Sequence, residues 1–333
     1  MTSQTTTPLT GKLNLPVLYN FWERHISQLK NHQKAKIENF NWAEEMRMIN
    51  GLSLGLDETL HFLLFNQPAY VEFEAWVLQK NNGQIAEEKL SQLRVGINTT
   101  GNTLNEDVLS AEDLRFWNEN GYLVLKQVIS KEQTEATVKA ICEFLQADPS
   151  NPETWYLPHE EQRGLMYLFY HHPALDNNRQ SARIRKAYEQ IYGSNEIFVS
   201  TDKISFNPPE TAHHKFKGSA LHWDTSLIAP IPMDLQGLLY LNDVEAEDGA
   251  FQCVPGFHHK IDAWLQQLPD DSDPREIALK ELKPVSVPGK AGDFIIWHQA
   301  LPHCASPNRG NKPRLVQYIT WHLTNRKIHS EWR

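Results

Sequence analysis

Apolar residues recur at helical spacing through the first quarter of the chain, and the period drops to two after residue 197. Leu18, Phe21, Trp22, His25, Ile26 and Leu29 fall on one stripe, and Trp42, Met46 and Ile49 on a second. The stretch 56–78 carries a third amphipathic pattern that Pro68 cuts in two. Residues 13–95 are therefore predicted to be helical, and a helical cap on the rest of the chain is the simplest use for them. The Gly/Asn/Thr-rich stretch 95–109 is read as a linker. The chain then divides into a helical extension, 1–100, and a second domain, 111–333.

The second domain opens as helix, strand, helix over 111–145. Gly121-Tyr122-Leu123-Val124-Leu125 is the strand, and Ser130 is the N-cap candidate of the second helix. Residues 180–192 are predicted to be helical. Strands are predicted over 197–206, 221–226, 236–242, 250–254, 285–287, 293–298 and 314–322. Turn signals separate them, among them Asn207-Pro208-Pro209, Glu247-Asp248-Gly249, Pro255-Gly256, Pro288-Gly289 and Asn308-Arg309-Gly310. Several short strands with this punctuation describe an α+β protein whose core is a sandwich or jelly roll.

Composition narrows the functional classes. With 32 Lys and Arg against 41 Asp and Glu, the 333 residues carry a net charge of −9 and no basic block, which argues against a nucleic-acid or anionic-membrane partner. No run approaches the ~18 apolar residues of a membrane span. Met1 to Thr10 lack the basic start and apolar run of a signal peptide. Cys142, Cys253 and Cys304 form neither a disulfide framework nor a metal-type pair, so a reducing, cytoplasmic setting is expected.

The chemistry concentrates in His222-Trp223-Asp224, with His303 far downstream and Arg314 one short turn beyond it. Two imidazoles and a carboxylate are the ligand set that holds non-haem Fe(II) on one face and leaves positions open. At i and i+2 on a strand, His222 and Asp224 would point the same way. A buried arginine at 314 could fork onto a dicarboxylate co-substrate. His298 is a rival for His303, and Arg309, in a turn, is a rival for Arg314. Thr201, Lys203 and Ser205 share a face by period two and would touch the co-substrate or substrate if that face looks inward, although Lys203 could equally reach solvent. Tyr240 is read either as a neighbour of the co-substrate or as core. Cys304 is read as a small buried residue, not a ligand. His213, His214, Lys215 and Lys217 form either a lid or a solvated loop.

Taken in order, these residues resemble the phytanoyl-CoA dioxygenase family of Fe(II)/2-oxoglutarate oxygenases. The match runs from about Ala111 to His322 and includes Phe116-Trp117, the Gly121–Leu125 segment and the Asn207-Pro208-Pro209 turn. It continues through His222-Trp223-Asp224, Glu247-Asp248-Gly249-Ala250-Phe251, Pro255-Gly256-Phe257-His258, Gly292-Asp293, His303 and Arg314. The resemblance implies a double-stranded β-helix, cupin-like, with flanking helices. It implies Fe(II) on His222, Asp224 and His303, and 2-oxoglutarate held through its distal carboxylate by Arg314. The expected activity is hydroxylation of a small organic metabolite by O₂, with release of succinate and CO₂. A CoA-ester hydroxylase, a cupin-type metal enzyme that never uses 2-oxoglutarate and an inactive ligand-sensing member are the rivals. Asp224 argues against halogenation, because related halogenases carry a small residue at that ligand. Residues 1–95 lie outside the pattern, and oligomeric state is left open.

Overall fold

The computed structural model describes residues 11–31, 41–96, 102–269, 271–329 and 331–333. The first ten residues and the middle of the linker, 97–101, lie outside the described residues. In chain order the elements are α1 Pro16–Asn31, α2 Trp42–Gly51, α3 Leu56–Asn66, α4 Tyr70–Lys80, α5 Glu87–Arg94, α6 Ala111–Asn120, β1 Tyr122–Leu125 and α7 Lys131–Leu145. There follow β2 Gln162–Arg163, β3 Met166–Tyr167, α8 Pro173–Arg179, α9 Ala182–Tyr192, β4 Ile197–Val199, β5 Ile204–Asn207, β6 Leu235–Tyr240 and β7 Phe251–Cys253. The last are α10 Ile261–Gln267, α11 Pro274–Glu281, β8 Val285–Val287, β9 Phe294–His298, β10 His303–Ala305, β11 Arg314–Tyr318 and β12 Trp321–Leu323.

The chain forms two compact units, and the division is not a single cut in the sequence. The described part of 1–100 takes Ile197–Thr201 with it, and the second unit is the remainder. In the first unit the predicted stripes are the core: Leu18, Phe21, Ile49, Phe73 and Val77 have no exposed surface. Pro68 does separate two helices, with Gln67 in the left-handed region closing α3. Phe198 of β4 is fully buried in this same core, and the Thr201 amide donates to Asn50 Oδ1 at 2.6 Å. A chain that starts at 111 would strip Phe198 of these partners. Exposing a buried phenylalanine costs about 1.5–3 kcal/mol, or roughly 3–12 °C for a domain of this size. We expect the 111–333 fragment to melt lower by that amount. Identical melting curves and full turnover would make the first unit a separable module.

In the second unit, Ser130 caps α7 as the sequence indicates, its hydroxyl accepting from the Gln133 amide at 3.2 Å. Gly121 closes α6 at φ +73°, a conformation that costs glycine little, and so turns the chain into β1. A seven-stranded antiparallel sheet has the order β1-β9-β6-β11-β5-β3-β2, and a three-stranded sheet has the order β10-β7-β8. Helices cover the outer face of the large sheet: Tyr188 of α9 packs on Phe294 with ring centroids 6.3 Å apart. A Cβ at Gly237 would lie 2.4 Å from the Tyr188 hydroxyl, so this close approach needs glycine. On the inner face Leu238, Tyr240, Ile295, Trp297 and Val316 meet Phe251, Cys253 and Val287 of the small sheet. This is the α+β arrangement with antiparallel sheets that the strand pattern predicts.

Three predicted strands change. The 197–206 segment breaks into β4, which belongs to the first unit, and β5 in the large sheet. The 221–226 segment forms no strand; its one ladder contact is an isolated bridge between His222 and His303. The 314–322 strand divides into β11 and β12, and β2, β3, β10, α8, α10 and α11 are additional to the predicted elements.

Candidate active site

The site is built on that bridge. His222 N donates to His303 O at 3.0 Å, and His303 N returns the bond to His222 O at 2.9 Å. A reciprocal pair of this kind sets two side chains next to each other on one face, and the two imidazole centroids are 4.7 Å apart. Trp223 points the opposite way into the core. Its indole N–H donates to Ala300 O at 2.9 Å, and its ring packs with Phe257 and Trp264. The alternation of Leu221, Trp223 and Thr225 thus reports burial of one side, without a ladder to hold it. Beyond Asp224 other contacts pin the chain: Arg275 donates to Thr225 O at 3.2 Å, and Leu227 N donates to Arg333 O at 3.2 Å.

Ligand atoms of His222, Asp224 and His303 all lie within 4.8 Å of one another. His303 Nε2 is 3.3 Å from Asp224 Oδ2, and His222 Nε2 is 3.6 Å from Asp224 Oδ1. Each Nδ1 faces a backbone carbonyl, that of Ala220 at 2.7 Å for His222 and that of Leu301 at 3.1 Å for His303. A carbonyl only accepts, so Nδ1 of each ring carries a proton, and Nε2 is the nitrogen turned toward Asp224. Burial, together with the neighbouring His303, holds the His222 pKa below its ordinary value, which keeps that ring neutral. Partial desolvation by the surrounding chain pushes the Asp224 carboxyl up, but His303, His222 and the Gln236 amide outweigh it and keep the group below the usual carboxylate range. Two imidazole lone pairs and a carboxylate therefore converge on one point, an arrangement that a cation satisfies. His303 is buried, His222 half-buried and Asp224 exposed, so the donor set is open on one side.

Arg314 is the second group that the sequence singles out. It pairs with Asn207 across β5 and is 1% exposed. Its Nη2 donates to Ser205 Oγ at 2.7 Å, its buried Nε has no hydrogen-bond partner, and no carboxylate among the described residues forms an ion pair with it. A guanidinium stays charged, and burying one unpaired is costly. A carboxylate ligand would offset that cost through a two-bond fork.

The other predicted residues separate. Ser205 joins Arg314, but Thr201 and Lys203 fall in the break between β4 and β5, so the three do not share a strand face. Thr201 is counted with the first unit, and the Lys203 carbonyl accepts from the Tyr318 amide at 3.2 Å. Tyr240 is fully buried; its hydroxyl donates to Val287 O and accepts from Phe251 N, both at 2.9 Å, which leaves no O–H for a co-substrate. His298 occupies the β9 positions opposite in phase to Trp297, and its Nδ1 accepts from Ala300 N at 2.9 Å. That phase separates His298 from the group formed by His222, Asp224 and His303. Arg309 is exposed and sits 3.6 Å from Glu247. Cys304 lies 3.6 Å from Gln252 Oε1, and burial pushes its thiol up to about 11. In the 211–217 loop, His214 packs against the Tyr156 ring at 4.7 Å. All three cysteines are free, and no helix among the described residues is long and apolar enough to cross a membrane.

Two residues escape motif reading. Gln236 Nε2 donates to Asp224 Oδ2 at 2.7 Å. Tyr318 stands four residues beyond Arg314 on β11; burial pushes its phenol up, and the guanidinium beside it opposes the rise. Period two puts Gln236 on the face of Leu238 and Tyr240, and Tyr318 on the face of Arg314 and Val316, but that phase alone does not distinguish either from a core position.

A pair of antiparallel sheets carrying a His-Asp-His donor set fits the class of mononuclear non-haem iron oxygenases. The sequence profile described as Phytanoyl-CoA dioxygenase (PhyH) matches residues 117–316, more than half of the chain. The chain belongs to the phytanoyl-CoA dioxygenase family of Fe(II)/2-oxoglutarate-dependent dioxygenases. It is similar to a putative phytanoyl-CoA dioxygenase of Dictyostelium discoideum, 23% identical over 257 residues that cover 61% of this chain and 73% of that protein. It is also similar to the ectoine dioxygenase of Bordetella bronchiseptica, 22% identical over 241 residues that cover 65% of this chain and 76% of that protein. Among solved structures it resembles the non-haem α-ketoglutarate-dependent carbocyclase SnoK from nogalamycin biosynthesis. That likeness, with a TM-score of 0.50 and 20% identity over 69% of this chain and 90% of that one, speaks to the fold.

Proposed function

We propose that the protein hydroxylates a small organic metabolite, consuming O₂ and 2-oxoglutarate and releasing succinate and CO₂. One oxygen atom enters the substrate as hydroxyl and the other enters succinate, so the electrons balance without a further reductant. His222, Asp224 and His303 would hold Fe(II), and Arg314 with Ser205 would take the distal carboxylate of 2-oxoglutarate. The observation that carries this reading is the pairing of two complementary needs in one sheet sandwich. Three converging donors need a cation, and a buried guanidinium needs an anion. Bound ferrous iron supplies the activation of O₂ that is coupled to decarboxylation of the co-substrate; the protein supplies placement and exclusion of water.

The chain's own groups perform definite tasks. The Nδ1–H bonds to Ala220 and Leu301 orient the two rings. The Trp223 anchor keeps the residue between the two ligands turned away from the site. The inner-face aromatics Phe251 and Trp297, with centroids 4.5 Å apart, wall the site beside His303 and limit the access of water.

The substrate is to be found by measurement. A metabolite panel read by succinate release, with and without added Fe(II), should give iron-dependent turnover that rises with one member. The panel begins with the substrates named by the relatives, ectoine, methylphosphonate and a phytanoyl-CoA ester. Binding of 2-oxoglutarate without any Fe(II)-dependent succinate would favour a ligand-sensing member of the fold.

A further inference from the structure

The Asp224 carboxylate is held by a relay that reaches back into the large sheet. Trp297 Nε1 donates to Gln236 Oε1 at 3.0 Å, and Gln236 Nε2 donates to Asp224 Oδ2 at 2.7 Å. The two side chains face each other across β6 and β9, where Gln236 and Trp297 are register partners. An indole N–H only donates, so it fixes which end of the Gln236 amide it meets. The amide oxygen must turn to Trp297 and the NH₂ group must turn to Asp224. The NH₂ in turn only donates, so it favours the ionised carboxylate. Oδ2 is occupied in this way, whereas Oδ1 takes no hydrogen bond among the described residues.

Asp224 has little else to hold it. Its segment makes one bridge, at His222, and its side chain is 53% exposed. Apart from the two imidazoles, 3.3 and 3.6 Å away, the irregular segment offers the carboxylate nothing to set its orientation. We propose that Gln236, itself oriented by Trp297, is the positioning residue of the triad, fixing Asp224 with Oδ1 free for the metal. Gln236 bonds to Asp224 and Trp297 and to neither of the two histidines, so it acts through Asp224. This inference rests on the iron-site reading above.

The test uses the full chain and Co(II), whose visible spectrum reports ligand geometry without turnover. Groups that orient metal ligands typically contribute about 10–100-fold in affinity. Gln236→Met keeps the side-chain volume and removes the donor, so it should weaken Co(II) binding by that factor and change the Co(II) absorption bands. Trp297→Phe keeps a ring against Phe251 and His303 but removes the indole N–H. It should weaken binding in the same direction by a smaller factor. In the double variant the two losses should fall short of their product, because both act through one bond. Melting curves of the metal-free proteins separate a packing defect from a loss of positioning. If wild type binds Co(II) at the triad and Gln236→Met binds it with the same affinity and spectrum, the relay is decorative and the inference fails. If wild type binds no metal, the iron-site reading itself fails.

Discussion

His303→Ala should lose most of its bound Fe(II) and retain about a thousandth of wild-type turnover or less. A ligand-bound metal contributes several kcal/mol to a reaction of this kind, and each 1.4 kcal/mol is tenfold in rate. Three protein donors converge on the site, and His303 is the one that the fold holds most firmly. It is 5% exposed, tied by its backbone to His222 and by Nδ1 to Leu301. Alanine removes the Nε2 lone pair and leaves two donors on a segment with little secondary structure. His222→Ala and Asp224→Ala should behave alike. Iron content per chain, measured beside succinate release, distinguishes lost metal from lost folding. His298→Ala is the control and should retain its iron, because its place in β9 is opposite in phase to Trp297. Full activity in His303→Ala with His298 intact would transfer the ligand to His298.

That choice between two histidines shows what the sequence could carry. The residue types and order of His222, Asp224, His303 and Arg314 were legible because coordination chemistry restricts them to few kinds of side chain. Helix positions in 13–95 were legible because a 3.6-residue stripe has to face a core, and Phe21, Ile49 and Phe73 do so. The pattern overreached where alternation was taken for a ladder. Leu221 and Trp223 alternate with the ligands because they are buried, yet only His222 finds a backbone partner. In 197–206 the alternation runs through a boundary: Phe198 is claimed by one core and Phe206 lies in the large sheet of the other unit. No local signal marks that change, since both positions are apolar and both are buried. Gln236 was invisible for a different reason. Its meaning depends on Trp297 and Asp224, which are distant in sequence and are brought together only by strand register and the Trp223 anchor.

Arg314→Ala should raise the 2-oxoglutarate requirement by roughly 30- to 4,000-fold and leave Fe(II) affinity close to wild type. The size follows from the usual cost of deleting one member of a buried, charge-assisted pair, about 2–5 kcal/mol. The direction follows from position. Arg314 lies at the start of β11 against Ser205 and Asn207, not among the triad donors, so its loss removes an anchor for the co-substrate without removing a metal ligand. Arg314→Lys retains the charge but not the planar fork, and should recover only part of the affinity. Ser205→Ala should show a smaller effect of the same kind, since its hydroxyl fixes one guanidinium nitrogen at 2.7 Å. The measurement is succinate formation against 2-oxoglutarate concentration, with Fe(II) binding followed separately. Arg309→Ala serves as the comparison: its side chain is 68% exposed and pairs with Glu247, so its co-substrate dependence should match wild type. An Arg314→Ala protein with unchanged 2-oxoglutarate dependence would reverse the assignment and make Arg309 the first residue to test.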